Sequence, residues 1–206
     1  MGFFVSVDGM DGGGKSTQIE LLKEWFEQSD QEVLVVRDPG GTKLGEALRD
    51  ILLHREEIPL SMHAEMLMYM ASRAQLMAET VLPALEHERV VISDRFLLAN
   101  VVYQGEAGGL PPEEIWKIGR IATQNRMPDL TVILDLSVEA SQRRLTGPKD
   151  RLESRGEAYM ERVRNGFLTQ ASELGDSCVI VDAEKTVEEV QKAILSAVSQ
   201  KIRAQE

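Results

Sequence analysis

A chain of 206 residues is long enough for one α/β domain with a sizeable core and too short for two full ones. Its 34 acidic against 23 basic side chains give a formal net charge of −11, which excludes a nucleic-acid backbone as the main partner but leaves free nucleotides open through a local basic pocket. One cysteine excludes an intrachain disulfide, and no apolar stretch reaches membrane-spanning length, so a cytoplasmic protein that meets no membrane is expected.

The first element is the apolar run Phe3-Phe4-Val5-Ser6-Val7, which reads as a buried strand. It leads into Gly9-Met10-Asp11-Gly12-Gly13-Gly14-Lys15-Ser16, and from Thr17 to Gln28 the residues Ile19, Leu22, Trp25 and Phe26 recur at helical spacing. Strand, glycine-rich loop and helix in this order make a phosphate-binding loop. The glycines let successive N–H groups turn toward one anion, which the positive end of the helix also faces. Lys15 adds a mobile charge for the outer phosphates, and Ser16 offers a hydroxyl to Mg²⁺. A nucleoside triphosphate is therefore the expected ligand.

Further strand-like runs follow at Glu32–Val36, Val90–Ser93, Thr131–Leu136 and Cys178–Val181, rich in Val, Ile or Leu and mostly without polar alternation, as in strands buried on both faces. Cys178 is expected to be a small buried residue of the last of these. Helical patterns occupy about residues 15 to 28, 43 to 53, 61 to 86, 96 to 103, 111 to 125, 137 to 146, 157 to 173 and 186 to 202. This alternation predicts an α/β fold, a parallel sheet covered by helices on both faces, whose ligands gather at the carboxyl ends of the strands.

The residues just past those ends are polar or charged: Arg37-Asp38-Pro39-Gly40-Gly41-Thr42, Asp94-Arg95-Phe96 and Asp182-Ala183-Glu184-Lys185. Asp94 is the best second group for Mg²⁺ or its water shell, and Arg95 is expected to face bound phosphates. The Asp38-Pro39 bond is a candidate for the cis form, since only X-Pro bonds reach it cheaply. The loop alone does not separate a kinase from a motor or a GTPase switch; the sequence has no Asn-Lys-x-Asp guanine motif, which argues against the switch.

Together with Tyr103-Gln104-Gly105 and Asp150-Arg151-Leu152-Glu153, these motifs resemble those of the bacterial-type thymidylate kinases over nearly the whole chain. The resemblance implies a five-stranded parallel sheet of the P-loop NTPase type, phosphoryl transfer from ATP to dTMP with Mg²⁺, and a homodimer. It implies that Tyr69 stacks on thymine, that Arg73 bonds a thymine carbonyl, and that Asn100 and Gln104 serve the base edge and acceptor site. Tyr103 would lie under the deoxyribose, Arg37, Arg49 and Arg95 would hold the acceptor phosphate with Pro39 beside them, and Asp11 would stand near the sugar and the metal. A kinase for another nucleoside monophosphate, or for a deoxynucleoside, is the alternative. By residues alone, Met66-Leu67-Met68-Tyr69-Met70 reads as core or as a helical interface, with Met66 and Met70 open to a dimer contact.

Some relatives carry an arginine inside the phosphate loop where this chain has Gly12. The missing charge is expected from a lid at about 143–156, whose Arg143, Arg144, Lys149, Arg151 and Arg155 flank a Gly147-Pro148 break. Arg151, with Arg144 or Arg155, is expected to close onto the phosphates. The whole of 1–206 is read as one kinase domain, with Lys15, Arg95, Arg151 and Asp11 as its catalytic groups.

Overall fold

The computed structural model describes residues 2–145 and 151–204. Among them, β1 (Phe4–Gly9), β2 (Val33–Arg37), β3 (Val90–Asp94), β4 (Leu130–Asp135) and β5 (Cys178–Asp182) form one all-parallel sheet in the order β2-β3-β1-β4-β5. Parallel neighbours need long crossovers, and helices supply them on both faces. They are α1 (Lys15–Glu27), α2 (Lys43–Leu53), α3 (Met62–Leu76), α4 (Leu82–Glu86), α5 (Leu97–Asn100), α6 (Pro112–Ala122), α7 (Val138–Arg144), α8 (Glu157–Leu174) and α9 (Val187–Arg203).

The strand order explains a difference from the burial expected for every strand. β1 is buried along its whole length between β3 and β4, whereas β2 and β5 lie at the edges, where Val35 is 39% and Ile180 46% exposed. Cys178 opens the edge strand β5 and is accordingly half-buried, with burial pushing its thiol up to about 12. On one face of the sheet Leu22, Phe26, Val163, Phe167 and Ile194 cover Val5, Val7 and Val132. On the other, Met66, Met70, Leu76 and Ile115 cover Phe4 and Val91, so Met66 and Met70 are core residues of this chain. Each such side chain contributes about 1.5–3 kcal/mol by leaving water.

Helix starts follow local chemistry. Thr42, Ser61, Ser137 and Thr186 each accept a hydrogen bond from a first-turn N–H, and Thr186 with Glu189 forms a reciprocal capping box. Two expected helices are interrupted. The pattern over 61–86 passes through a π-helical turn, Met77–Val81, before α4, where Pro83 lacks an N–H and its ring crowds the carbonyl four residues back. The pattern over 96–103 becomes α5 followed by a π-helical stretch, Val101–Glu106, in which the Ala107 N–H reaches the Val102 carbonyl at 2.9 Å. This wider turn carries Tyr103 and Gln104, both buried.

Candidate active site

The chain runs from β1 toward β2 and β3 on one side and later to β4 and β5 on the other, so the loop after β1 stands where the strand order reverses. Two adjoining clefts open there, of about 640 and 810 Å³. Tyr69, Arg73, Asn100, Tyr103 and Gln104 line the first; Gly12, Gly14, Lys15, Ser16 and Thr17 line the second. Asp11, Asp38, Arg49 and Arg95 border both.

The phosphate loop has the backbone its glycines allow. Gly9 at φ 129° lies so close to β4 that an added Cβ would sit 2.5 Å from the Leu134 carbonyl oxygen, and Gly14 at φ 84° caps α1. Lys15 Nζ spans the loop, donating to the Met10 carbonyl at 2.9 Å and to Asp11 Oδ1 at 3.1 Å. Arg95 reaches the same loop from β3, donating to the Gly9 carbonyl at 2.7 Å and to Asp11 Oδ1 at 2.8 Å, while its guanidinium lies 5.4 Å from the Tyr103 ring centre. Burial alone pushes the Asp11 carboxyl up, but Arg95 and then Lys15 outweigh it and hold the group well below the usual carboxylate range. Burial and the nearby Arg95 pull the Lys15 ammonium down. Arg95 holds φ at 64°, a left-handed conformation that costs a non-glycine residue about 1–2 kcal/mol. Backbone strain of this kind at a cleft is compatible with a site shaped for function.

In the first cleft, buried Arg73 donates from Nε to Asp38 Oδ2 at 2.6 Å and from Nη1 to Asn100 Oδ1 at 3.2 Å. Tyr69 and Arg73 are one helical turn apart on α3 and share the cleft-facing side. The Asp38-Pro39 bond is cis, and Arg49 Nη1 donates to the Pro39 carbonyl at 2.9 Å, so Pro39 and Arg49 form the border with the phosphate loop. The shape is a flat aromatic and amide-lined slot that ends in arginines beside an anion-binding loop.

The family model described as "Thymidylate kinase" matches residues 7–194. Curated thymidylate kinases of Rhodopirellula baltica and Bifidobacterium longum are 45% and 41% identical, over 94% and 97% of this chain and 78% and 98% of their own. A crystal structure of thymidylate kinase from Ehrlichia chaffeensis superposes with a TM-score of 0.78 at 26% identity, covering 96% of this chain and 98% of that one. The chain belongs to the thymidylate kinase family.

Within this thymidylate kinase fold most of the expected site residues come together, and the lid arginines divide. Arg144, at the end of α7, lies on the phosphate-loop cleft and donates to the Gly12 carbonyl at 3.2 Å and to the Ala183 carbonyl at 3.0 Å. Arg151 does not line the phosphate-loop cleft. Its guanidinium donates to the Leu52 carbonyl at the end of α2 at 3.0 Å and to the carbonyls of Arg55 at 2.5 Å and Ile58 at 3.2 Å in the loop that follows, so one five-donor cation ties the helix end to that loop. Arg155 pairs with buried Glu65 instead. Lys149, Asp150 and the Gly147-Pro148 break lie outside the described residues. Arg37 lines the phosphate-loop cleft but is half-exposed and tied to Glu46 at 3.0 Å.

Asp94 ends β3 opposite Val7 and Arg37, and its Oδ1 is buried without a hydrogen-bond partner among the described residues. An orphaned carboxylate oxygen bordering the same cleft as Ser16 suits a hard cation. Sequence reasoning missed Glu65, Leu53 and Leu152. Leu53 and Leu152 wall the slot, and Glu65 lies one turn before Tyr69 on α3, a spacing that was legible.

Asp8, fully buried at the end of β1, is the least comfortable charge nearby. Burial raises its carboxyl from 3.8 to about 6 against the pull of Arg95, and its Oδ2 has no partner among the described residues. The folded state therefore holds a proton that the unfolded chain releases, so this group favours folding below about 3.8 and loses that contribution as pH rises through about 6. Urea melts at pH 4.5 and pH 8 should show Asp8→Asn gaining on the parent at the higher pH by about 2 kcal/mol; an equal gap at both pH values would refute the assignment.

Proposed function

We propose that the chain transfers the γ-phosphoryl group of ATP to dTMP, giving dTDP and ADP, within a single kinase domain that carries a lid segment at 143–156. The observation that carries this reading is the adjacency of a base-sized slot and a phosphate loop that share Asp11 and Arg95. ATP phosphates lie on the Gly9–Thr17 loop with Lys15. The acceptor lies in the slot, its base against Tyr69, Arg73, Asn100 and Gln104, its sugar over Tyr103, and its phosphate at Arg37, Arg49 and Arg95. Arginines suit the last task because their planar forks match phosphate oxygens.

Two anionic phosphates must approach in line, so the site works by positioning and by positive charge. Asp11 Oδ1 bridges Arg95 and Lys15; the Arg95 fork keeps further donors for phosphate oxygens, whereas Lys15, whose three donors go to Gly9, Met10 and Asp11, must exchange one to meet a phosphate. Ser16 and Asp94 are the residues to hold Mg²⁺ or its waters; when bound, the ion neutralises charge on the donor phosphates. With Gly12 in the loop, Arg144 is the best-placed lid arginine. Arg144→Ala is expected to lower kcat about 30-fold or more. Arg151→Ala, which removes a cap from α2, is expected to cost stability more than turnover. The reverse ranking in steady-state kinetics and thermal melts would restore Arg151 as the catalytic cation.

The chain is further proposed to act as a cytoplasmic homodimer. Leu67 on α3 is 52% exposed and Ile121 on α6 is 79% exposed, on helices that pack together, which supports a self-association surface. Among the described residues no helix is long and apolar enough to cross a membrane. Purified protein with ATP, Mg²⁺ and a panel of acceptors tests the reaction: dTMP should turn over fastest, and faster turnover of dCMP, UMP or thymidine would reject it. Sedimentation tests the dimer.

A further inference from the structure

Glu65 is the first-turn acid of α3, only 1% exposed, and it does not line the acceptor slot. Both of its oxygens are engaged. Oε1 accepts from Gln104 Nε2 at 2.7 Å, and Oε2 accepts from Arg155 Nη2 at 2.5 Å. The chain continues from Gln104, whose Oε1 accepts from Asn100 Nδ2 at 2.6 Å, to Asn100, whose Oδ1 accepts from Arg73 Nη1 at 3.2 Å.

The two ends of this relay have a single polarity each: an ionised carboxylate only accepts and a guanidinium only donates. An amide has one donor end and one acceptor end, so both amides between them are forced to point their nitrogen toward Glu65 and their oxygen toward Arg73. Turning Asn100 round would set its N–H₂ against the donors of Arg73, and turning Gln104 round would set its carbonyl against the Glu65 carboxylate. Buried polar groups left facing their own kind lose their hydrogen bond and keep the cost of leaving water. Arg155 pairs with Glu65, the acceptor end of the relay, and Tyr159 steadies it, accepting from Arg155 Nη1 at 2.9 Å and donating to the Tyr103 carbonyl at 2.7 Å.

We infer that Glu65 is a positioning residue for acceptor choice: through Gln104 it supports the orientation of the Asn100 amide in the slot, and Arg155, paired with its other oxygen, holds it in place. The inference rests on the reading of the slot as the acceptor-base site. A base edge that offers a carbonyl beside a ring N–H, as thymine does, meets the Arg73 donor and the Asn100 acceptor. Cytosine offers an amino group beside a bare ring nitrogen at the same positions and meets the wrong partners at both.

Glu65→Gln keeps the size of the side chain but can donate as well as accept, so it releases the imposed polarity. Steady-state kinetics with dTMP and dCMP should show its dTMP KM rising about 10-fold, its preference for dTMP over dCMP narrowing about 10-fold, and its ATP KM unchanged. Arg155→Gln should move the same two acceptor quantities in the same direction, about 3-fold, and the double variant should be no worse than Glu65→Gln alone, because Arg155 acts through Glu65. Penalties that add, or a fall shared equally by dTMP, dCMP and ATP together with a lower melting temperature, would overturn the inference. Should Glu65→Gln not fold, Arg155→Gln decides: an unchanged dTMP to dCMP ratio rejects the role. A parent enzyme that does not phosphorylate dTMP rejects the kinase reading instead, whereas a parent that does, with unchanged discrimination in the variants, rejects this inference alone.

Discussion

Arg95→Ala is expected to lower kcat by about 10²- to 10³-fold, the loss that follows removal of one preorganised donor from a developing oxyanion. The magnitude rests on where Arg95 stands. It borders both clefts, it is held by the Gly9 carbonyl and Asp11 Oδ1, and its guanidinium lies over Tyr103. Any phosphoryl group passing from one cleft to the other passes this cation. Its removal also leaves Asp11 with Lys15 as its only bonded cation among the described residues, which draws that ammonium toward the carboxylate and away from the proposed site of the donor phosphates. The binding of ATP and dTMP should weaken less than turnover falls, because a group needed mainly as charge moves between oxygens contributes more to the transition state than to either ground state. Arg95→Lys keeps the charge but loses the planar fork, and should recover a part of the loss only. Steady-state kinetics with titrations of both nucleotides measure this; a fall in kcat below 3-fold would remove Arg95 from the reaction.

Arg73→Ala is expected to cost stability as well as dTMP affinity. Arg73 and Asp38 form an ion pair whose side chains are 2% and 0% exposed, and breaking a buried pair at one end costs about 3–5 kcal/mol because the other charge is stranded. Burial already raises the Asp38 carboxyl despite Arg73, and without Arg73 it rises further. The folded variant then takes up a proton more readily than the unfolded chain, so its stability is retained at low pH and lost as pH rises. The gap to the parent should be smaller at pH 5 than at pH 8. Adding Asp38→Asn should recover most of the stability at pH 8 without restoring dTMP affinity, because the stranded charge is gone and the cation proposed to read the base is still missing. A parent-like melting temperature at pH 8 for Arg73→Ala, or equal weakening of dTMP and ATP, would contradict this account.

How far each feature was legible in the sequence depended on how far apart in the chain its parts lie. Gly9 to Ser16 form their site from contiguous residues, and the flanking strand and helix are set by local periodicity, so loop and fold class were readable. Tyr69 and Arg73 were readable as a shared helical face but not, from spacing, as a base pocket; family resemblance supplied that. The π-helical turns at Met77–Val81 and Val101–Glu106 were missed because both sit inside apolar patterns that continue across them.

Contiguous chemistry thus came from the residues themselves: a glycine-rich loop needs no distant partner to turn its N–H groups toward an anion, and a Lys-Ser pair at a helix start keeps its meaning in any fold of this kind. Long-range pairing did not. Carbonyls at the end of α2 and in the loop after it engage Arg151, across 99 residues from Leu52, and the buried Glu65 engages Arg155 across 90. A long cationic side chain goes to whichever uncompensated acceptors packing leaves within reach, and only the assembled sheet and helices decide which those are.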